Sequence, residues 1–305
     1  MISAAAAGTW TLGDLVINRM GFGSMRLTQD GPAFAGDAAP SDRDRAITTL
    51  RRAVELGVNH IDTAAFYFSA LRSANELINT ALTPYPDDLV IVTKVGPGRD
   101  TWGNWTDAAR PDQLRGQVEE NLRQLGRDHL DVVNYRRQAS VHSISEHFGA
   151  LAELRDAGLI RHLGISGVEP AHLAEARAIA PVVCVQNAYS VSDRRPESSA
   201  LLQECREHGI AFVPFFAIAG ARRPGVAGGD GDAGSGGAAG PRLSDIARAH
   251  DATVAQIRLA WTLHQGPHVL AIPGTGNPDH VLENVAAGAI ELNDDELASL
   301  AEVSR

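Results

Sequence analysis

A carboxylate, a phenol and an amine stand at or just beyond the ends of two consecutive strand-like runs: Asp62, Tyr67 and Lys94. Lys94 is the sole lysine of the chain, against 26 arginines. Arginine suits any surface charge. A lysine kept at the end of an apolar run points to a task for a compact ammonium whose pKa moves on burial, which a permanently charged planar fork cannot do. Together the three residues make an acid catalyst. A free tyrosine, with a pKa of about 10, is a weak acid at neutral pH. A nearby ammonium stabilises the phenolate and lowers that value, and a carboxylate beside the amine holds its charge and position. The phenol can then protonate a carbonyl oxygen as hydride reaches the carbon, a transfer worth about 10²–10⁴ in rate. A barrel isomerase using Lys94 as a Schiff base is the alternative chemistry for the same amine.

Such a set works only if the segments carrying it open on one mouth. Strands are expected at 21–25, 60–64, 89–95, 130–135, 160–166, 182–187, 210–216 and 269–273. Helices are expected at 41–56 with Ser41 as cap, 74–82, 113–125, 143–157 with a Ser143/Glu146 capping box, 170–179, 197–208 ended by Gly209, two stretches within 243–264, and 279–287. Eight strand–helix alternations with short strands imply an α/β fold, a closed parallel (β/α)8 TIM barrel and not an open doubly wound sheet. The 305 residues read as one such domain, since these barrels run to about 250. Residues 9–18 read as an N-terminal β-hairpin plugging the barrel bottom, with a Gly13-Asp14 turn, and 293–303 as an extra C-terminal helix capped by Asn293. The glycine-rich stretch 220–240 reads as a flexible loop after the seventh strand, serving as a cofactor or substrate lid or as a surface insertion.

Composition narrows the function. A hydrophobic content of 44% and a charged content of 21% are those of a soluble globular protein. No run approaches the ~20 apolar residues that span a bilayer, and the N-terminus lacks the charged and apolar regions of a secretory signal, so a cytoplasmic location is expected. A net charge of −10 argues against a nucleic-acid partner. Cys184 and Cys205 read as small buried hydrophobes. The scattered histidines lack metal-ligand spacing, so no metal is expected. Gly21-Phe22-Gly23 is no dinucleotide fingerprint, because no third glycine opens a helix after it. No residue pattern sets an oligomeric state.

At this point the chain resembles the aldo-keto reductases, most closely their bacterial pyridoxal reductase-like members. The residues carrying the resemblance are Asp62-Thr63-Ala64-Ala65-Phe66-Tyr67, Val92-Thr93-Lys94, Gly164-Ile165-Ser166, Val185-Gln186-Asn187 and Ile272-Pro273-Gly274-Thr275, followed by Glu283-Asn284. The match runs from about residue 12 to the C-terminus and keeps order and spacing. It implies Tyr67 as general acid, Lys94 as its pKa partner and Asp62 as the orienter of Lys94. It further implies Ser166 and Gln186 on a nicotinamide carboxamide, Phe215 stacked on the ring, Gly23, Ser24 and Met25 near its ribose, and Ile218 and Gly220 along the pyrophosphate. Gly274, Thr275, Asn277, His280, Glu283 and Asn284 fall at the adenosine end, and the helix start near Pro278 can add its dipole to phosphate binding.

The implied activity is NAD(P)H-dependent reduction of an aldehyde or ketone, either pyridoxal-like or from a specialised biosynthetic pathway. NADP(H) is favoured over NAD(H), with Arg222, Arg223 or Arg242 standing in for the usual basic residues. A cofactor-sensing module with slow turnover, and imine or enone reduction on the same site, are the alternatives. Three departures from the family pattern stand out. Arg136 occupies the usual histidine position, where it can polarise the substrate oxygen or clamp an acidic group. Ser166-Gly167 replaces a Ser-Asn pair, and the loop 68–73 is unusual.

Overall fold

The computed structural model describes residues 2–302 apart from 32–33, 35–37, 101 and 219–238. An antiparallel hairpin, β1 (Thr9–Leu12) and β2 (Leu15–Asn18), precedes a parallel sheet of β3 (Phe22–Gly23), β4 (His60–Asp62), β5 (Val90–Val95), β6 (Leu130–Arg136), β7 (Ile160–Ser166), β8 (Val182–Ala188) and β9 (Ala211–Phe215) in sequential order. Helices α1 (Arg43–Glu55), α2 (Ala74–Leu82), α3 (Leu114–Leu125), α4 (Ser145–Asp156), α5 (Pro170–Ile179) and α6 (Pro196–His208) fill the connections. Helices α7 (Ala239–Ala249), α8 (Val254–His264), α9 (Pro278–Ala286) and α10 (Asp294–Ala301) follow β9.

The expected eighth strand is reduced to bridges. Across one side the Phe212 amide donates to the His268 carbonyl at 2.9 Å and the Leu270 amide donates to the Phe212 carbonyl at 3.0 Å. On the other side the Gly21 amide donates to Ala271 at 2.8 Å and the Gly23 amide to Pro273 at 3.1 Å. The segment thus joins β9 to β3 and completes the ring, while Pro273 has no N–H to extend a ladder. Gly23 is needed at this seam, because a Cβ there would lie 2.7 Å from the Ile272 carbonyl oxygen.

Two cap assignments need correction. Helix α1 is capped by Asp42, whose carboxylate accepts from the Arg45 amide at 2.7 Å, while Ser41 donates to the Leu27 carbonyl. Helix α4 lacks the expected Ser143/Glu146 box. Glu175 of α5 accepts from the Ile144 amide at 2.8 Å and from Ser143 at 3.0 Å, so the neighbouring helix supplies the anion that the N-terminus favours. The strand expected at 21–25 is shorter, giving way to a 3₁₀ turn at Ser24–Leu27.

Strand alternation sorts the side chains. Val90, Val92, Val132, Cys184 and Val213 pack inside the ring against Leu12 and Ile17 of the hairpin, which therefore closes the barrel bottom. Ile91, Val133, Ile165 and Val185 face outward to the helices. Continuing the same period of two places Lys94, Asn134, Arg136, Ser166 and Gln186 on the inner face at the C-terminal ends, and Thr93 on the outer face.

Candidate active site

Asp62 and Lys94, each 4% exposed, form a buried ion pair. The ammonium donates to Asp62 Oδ2 at 2.6 Å and to the Thr63 carbonyl at 3.0 Å. The other carboxylate oxygen, Oδ1, accepts from Gln186 Nε2 at 2.8 Å. Every charged oxygen and one amide are thereby committed, which is the condition for a desolvated pair to be tolerated. Burial alone would lower the Lys94 pKa. The charge and hydrogen bond of Asp62, with help from Tyr67, outweigh it and hold the amine above its ordinary value, so it stays charged.

Tyr67 is buried beside this pair, with the Lys94 ammonium 4.8 Å from its ring centre. The expectation that Lys94 makes this phenol more acidic than free tyrosine is not met. Burial pushes the Tyr67 pKa above its ordinary value and outweighs the pull of Lys94, with Asp62 pushing the same way. At neutral pH the phenol keeps its proton, the state a general acid requires.

Behind the pair lies a network that the sequence reading missed. Thr63 donates to Asn75 Oδ1 at 2.7 Å and Thr93 to Asn121 Oδ1 at 2.6 Å. Asn75 Nδ2 donates to Asn121 Oδ1 at 2.9 Å and to Gln124 at 3.0 Å. Thr63, Thr93, Asn75 and Asn121 are wholly buried. The residue after Asp62 and the residue before Lys94 are thus tied to α2 and α3. A signal existed: Asn121 interrupts the apolar stripe Leu114, Val118, Leu125 of α3, and Asn75 that of Ala74, Leu77, Ile78 in α2.

The opposite side of the mouth holds Arg136, Ser166, Gln186 and Phe215. The Arg136 guanidinium lies 4.9 Å from the Phe215 ring centre and donates to Ser166 Oγ at 3.1 Å. Burial lowers its pKa, against the attraction of Tyr67 and Asp62. Gly167 has φ +67°, and a Cβ there would lie 2.7 Å from Arg136 Nη1. The two departures at positions 136 and 167 are therefore one: the missing side chain makes room for the arginine. Gln186 Oε1 and Ser24 Oγ are buried without a partner among the described residues.

The proposed adenosine end gathers where the 274–277 turn enters α9. A Cβ on Gly274 would lie 2.5 Å from the Gly23 carbonyl oxygen, so this turn lies against the segment that leads to Ser24 and Met25. Thr275 Oγ1 accepts from the Asn277 amide at 3.0 Å and lies 3.4 Å from His280 Nδ1, and Asn277 caps α9 through the Asp279 amide at 3.0 Å. Asn284 is buried and Glu283 exposed. The Ile218 carbonyl accepts from Arg258 at 3.0 Å. Gly220, Arg222, Arg223 and all but the last two residues of the 220–240 loop lie outside the described residues. Arg242 donates to the Ser299 carbonyl at 2.9 Å and pairs with Glu302 at 3.1 Å, so it is anchored to the C-terminal helix.

A third wall, also missed, is aromatic. Phe34, Phe66, Trp105 and Tyr67 form a closed circuit of ring contacts between 5.1 and 5.9 Å. Arg99 backs it, 5.1 Å from Phe34, 4.6 Å from Phe68 and 5.8 Å from Trp105, while donating to the carbonyls of Phe68 and Gly103 at 2.6 and 2.9 Å.

Residues 19–305 match the model of the aldo/keto reductase family. The chain is 41% identical to pyridoxine 4-dehydrogenase of Escherichia coli over 98% of its own length and 99% of that protein. It is 36% identical to an uncharacterized oxidoreductase of Schizosaccharomyces pombe, over 99% of this chain and 91% of the other. Among solved structures, a thermostable aldo-keto reductase in complex with epalrestat superposes with a TM-score of 0.77 at 28% identity, covering 97% of this chain and 99% of that one. An aldo-keto reductase from Klebsiella pneumoniae in complex with NADPH superposes with a TM-score of 0.77 at 26% identity, covering 96% and 94%.

Proposed function

Because this chain belongs to the aldo/keto reductase family and is an oxidoreductase of it, we propose that it reduces a small aldehyde or ketone with NADP(H), favoured over NAD(H), and that Tyr67 donates the proton. The observation that carries the reading is the buried Lys94–Asp62 pair, its ammonium 4.8 Å from the centre of the Tyr67 ring. A pyridoxal-like aldehyde, the carbonyl counterpart of the alcohol in the E. coli relative's name, is the substrate type this reading takes first.

The residues present fit a nicotinamide. The unpartnered Gln186 Oε1 can accept from a carboxamide N–H, Ser166 can donate to its oxygen, and the buried Ser24 hydroxyl can take a ribose oxygen. Phe215, half-buried with the Arg136 guanidinium 4.9 Å from its ring centre, is assigned to the nicotinamide ring, and the α9 start offers amides to phosphate. Ile218, Gly274, Thr275, Asn277, His280, Glu283 and Asn284 are assigned to the rest of the dinucleotide. The NADPH complex of the Klebsiella neighbour supports the choice of cofactor. When bound, the reduced nicotinamide supplies hydride.

The chain's own residues do the remainder. Tyr67 hydrogen-bonds the carbonyl oxygen and hands over its proton as negative charge develops there. Lys94, kept charged by Asp62, steadies the phenolate left behind, and Arg136 adds a second positive charge. Gln186 and Lys94 hold Asp62 from two sides, so the acid's partner does not swing. The test is loss of nicotinamide absorbance when a carbonyl panel is added to enzyme and NADPH. Carbonyl-dependent oxidation is expected, with higher kcat/KM for NADPH than for NADH. No oxidation by any carbonyl overturns the activity, and equal efficiency with NADH overturns the cofactor preference.

A further inference from the structure

Two arginines border the mouth near Tyr67, and they are used differently. Arg99 is engaged on every side: three aromatic rings lie on it, and its N–H groups serve carbonyl oxygens of Phe68 and Gly103. It builds the wall and has little left for a ligand. Arg136 is half-buried on the inner face of β6, and its one hydrogen bond to a described residue goes to the neutral Ser166 hydroxyl. No carboxylate among the described residues pairs with it. Asp62 feels its field, but both Asp62 oxygens already accept from Lys94 and Gln186. Asp62, Lys94 and Arg136 together leave one uncompensated positive charge beside the acid. Holding a guanidinium there without a counter-ion is costly, which is why buried charges are normally paired.

The wall beside Tyr67 adds a shape. Phe34 adopts φ +67°, a conformation that bulky residues rarely take. That backbone brings its ring within 5.9 Å of Tyr67 and 5.1 Å of Trp105. Backbone strain at a bulky residue persists where surrounding contacts impose it, and such sites concentrate at ligand clamps. Trp105 remains 49% exposed, so the circuit keeps an open apolar face for a planar ring to cover.

We propose that the substrate is a planar aromatic carbonyl compound carrying an anionic oxygen, with Arg136 as the anion's partner and the Phe34–Trp105–Phe66 wall as the seat of its ring. The proposal rests on the reductase reading and deepens it. A guanidinium offers paired N–H groups that a carboxylate or phenolate can accept from in the fork geometry that favours arginine over lysine. Ser166 keeps the fork aimed at the mouth, and Gly167 leaves it the room.

The test measures kcat/KM, with NADPH as reductant, for 4-formylbenzoate, its methyl ester, benzaldehyde and propanal. The native enzyme is expected to prefer the carboxylate over the ester, and Arg136→Gln to reduce that carboxylate-to-ester ratio by about tenfold or more, the loss expected for a charge-assisted hydrogen bond. Comparing ratios cancels the different electrophilicity of the two aldehydes. Phe34→Ala is expected to depress benzaldehyde more than propanal. Should Arg136→Gln fail to fold, the native ratio itself is read as sodium chloride is raised to about 1 M, where a salt-screened contact weakens and the ratio falls. A ratio unchanged by the substitution, or by the salt where the substituted chain does not fold, overturns the anion site, even while the native enzyme reduces benzaldehyde and propanal. If none of the four carbonyls oxidises NADPH, the reductase reading fails and this proposal fails with it.

Discussion

The two sides of the barrel mouth are built on opposite plans. On the β4–β5 side, Asp62 and Lys94 satisfy one another, Gln186 closes the remaining oxygen, and Thr63, Thr93, Asn75 and Asn121 lock the strand ends from behind. On the β6–β9 side, Arg136 has no acidic partner among the described residues, Gln186 Oε1 has no donor, and Phe215 is only half-buried under a guanidinium. The first side is complete without a ligand and the second is not. The difference separates preorganised chemistry from recognition: the proton donor's surroundings are fixed in advance, and the groups left wanting partners are those assigned to cofactor and substrate.

Substitutions break the two sides in different ways. Lys94→Met leaves the Asp62 carboxylate buried and uncompensated, so unfolding free energy should fall by about 3–5 kcal/mol, and kcat should fall by about 10²–10⁴ with it; urea denaturation and steady-state rates measure both. Asn121→Leu removes the acceptor shared by Thr93 and Asn75. It should cost about 2–3 kcal/mol by leaving buried donors unmet, and it should lower kcat more than it raises KM, because it disturbs Lys94 without touching a ligand. A substitution here that spared stability would show the first side to be less locked than its hydrogen bonds imply.

The closed end beneath the same side responds to pH. His60 is 1% exposed, packs against Gly21 and faces the Asn18 carbonyl, and burial pulls its pKa from 6.5 to about 4. Its folded-state value lies below the unfolded one, so stability is full above pH 6.5 and declines as pH falls toward about 4. The decline attributable to this ring is about 3 kcal/mol, and His60→Gln should flatten that part of a thermal-melt series. On the open side the effects should be ligand effects. Ser166→Ala should change stability by less than about 1 kcal/mol, yet weaken NADPH about tenfold in a fluorescence titration. A large loss of stability there would erase the distinction.

Much of this was legible in the chain. The sole lysine and the strand parity of β5 placed Lys94 at the mouth, and the boundaries of α2, β7 and α5 follow from periodicity and caps. What was not legible depended on distance across the fold. The Glu175 cap of α4 comes from another helix, and the eighth strand shrinks to bridges because Pro273 cannot donate. The direction of the Tyr67 shift turned on burial depth, which sequence pattern does not measure. The aromatic wall joins Phe34, Phe66 and Trp105 from three separate loops, so no local spacing announced it. The Arg136–Gly167 fit likewise spans the ends of neighbouring strands and shows only once both departures are seen in contact.

The central claim is that the preorganised side delivers a proton through Tyr67. Single-turnover oxidation of enzyme-bound NADPH by benzaldehyde, native against Tyr67→Phe, tests it most directly. The account expects the rate to drop by about 10²–10⁴ while the Kd for NADPH is unchanged. A Tyr67→Phe enzyme that turned over within about threefold of the native rate would contradict it, since removing a general acid cannot cost so little.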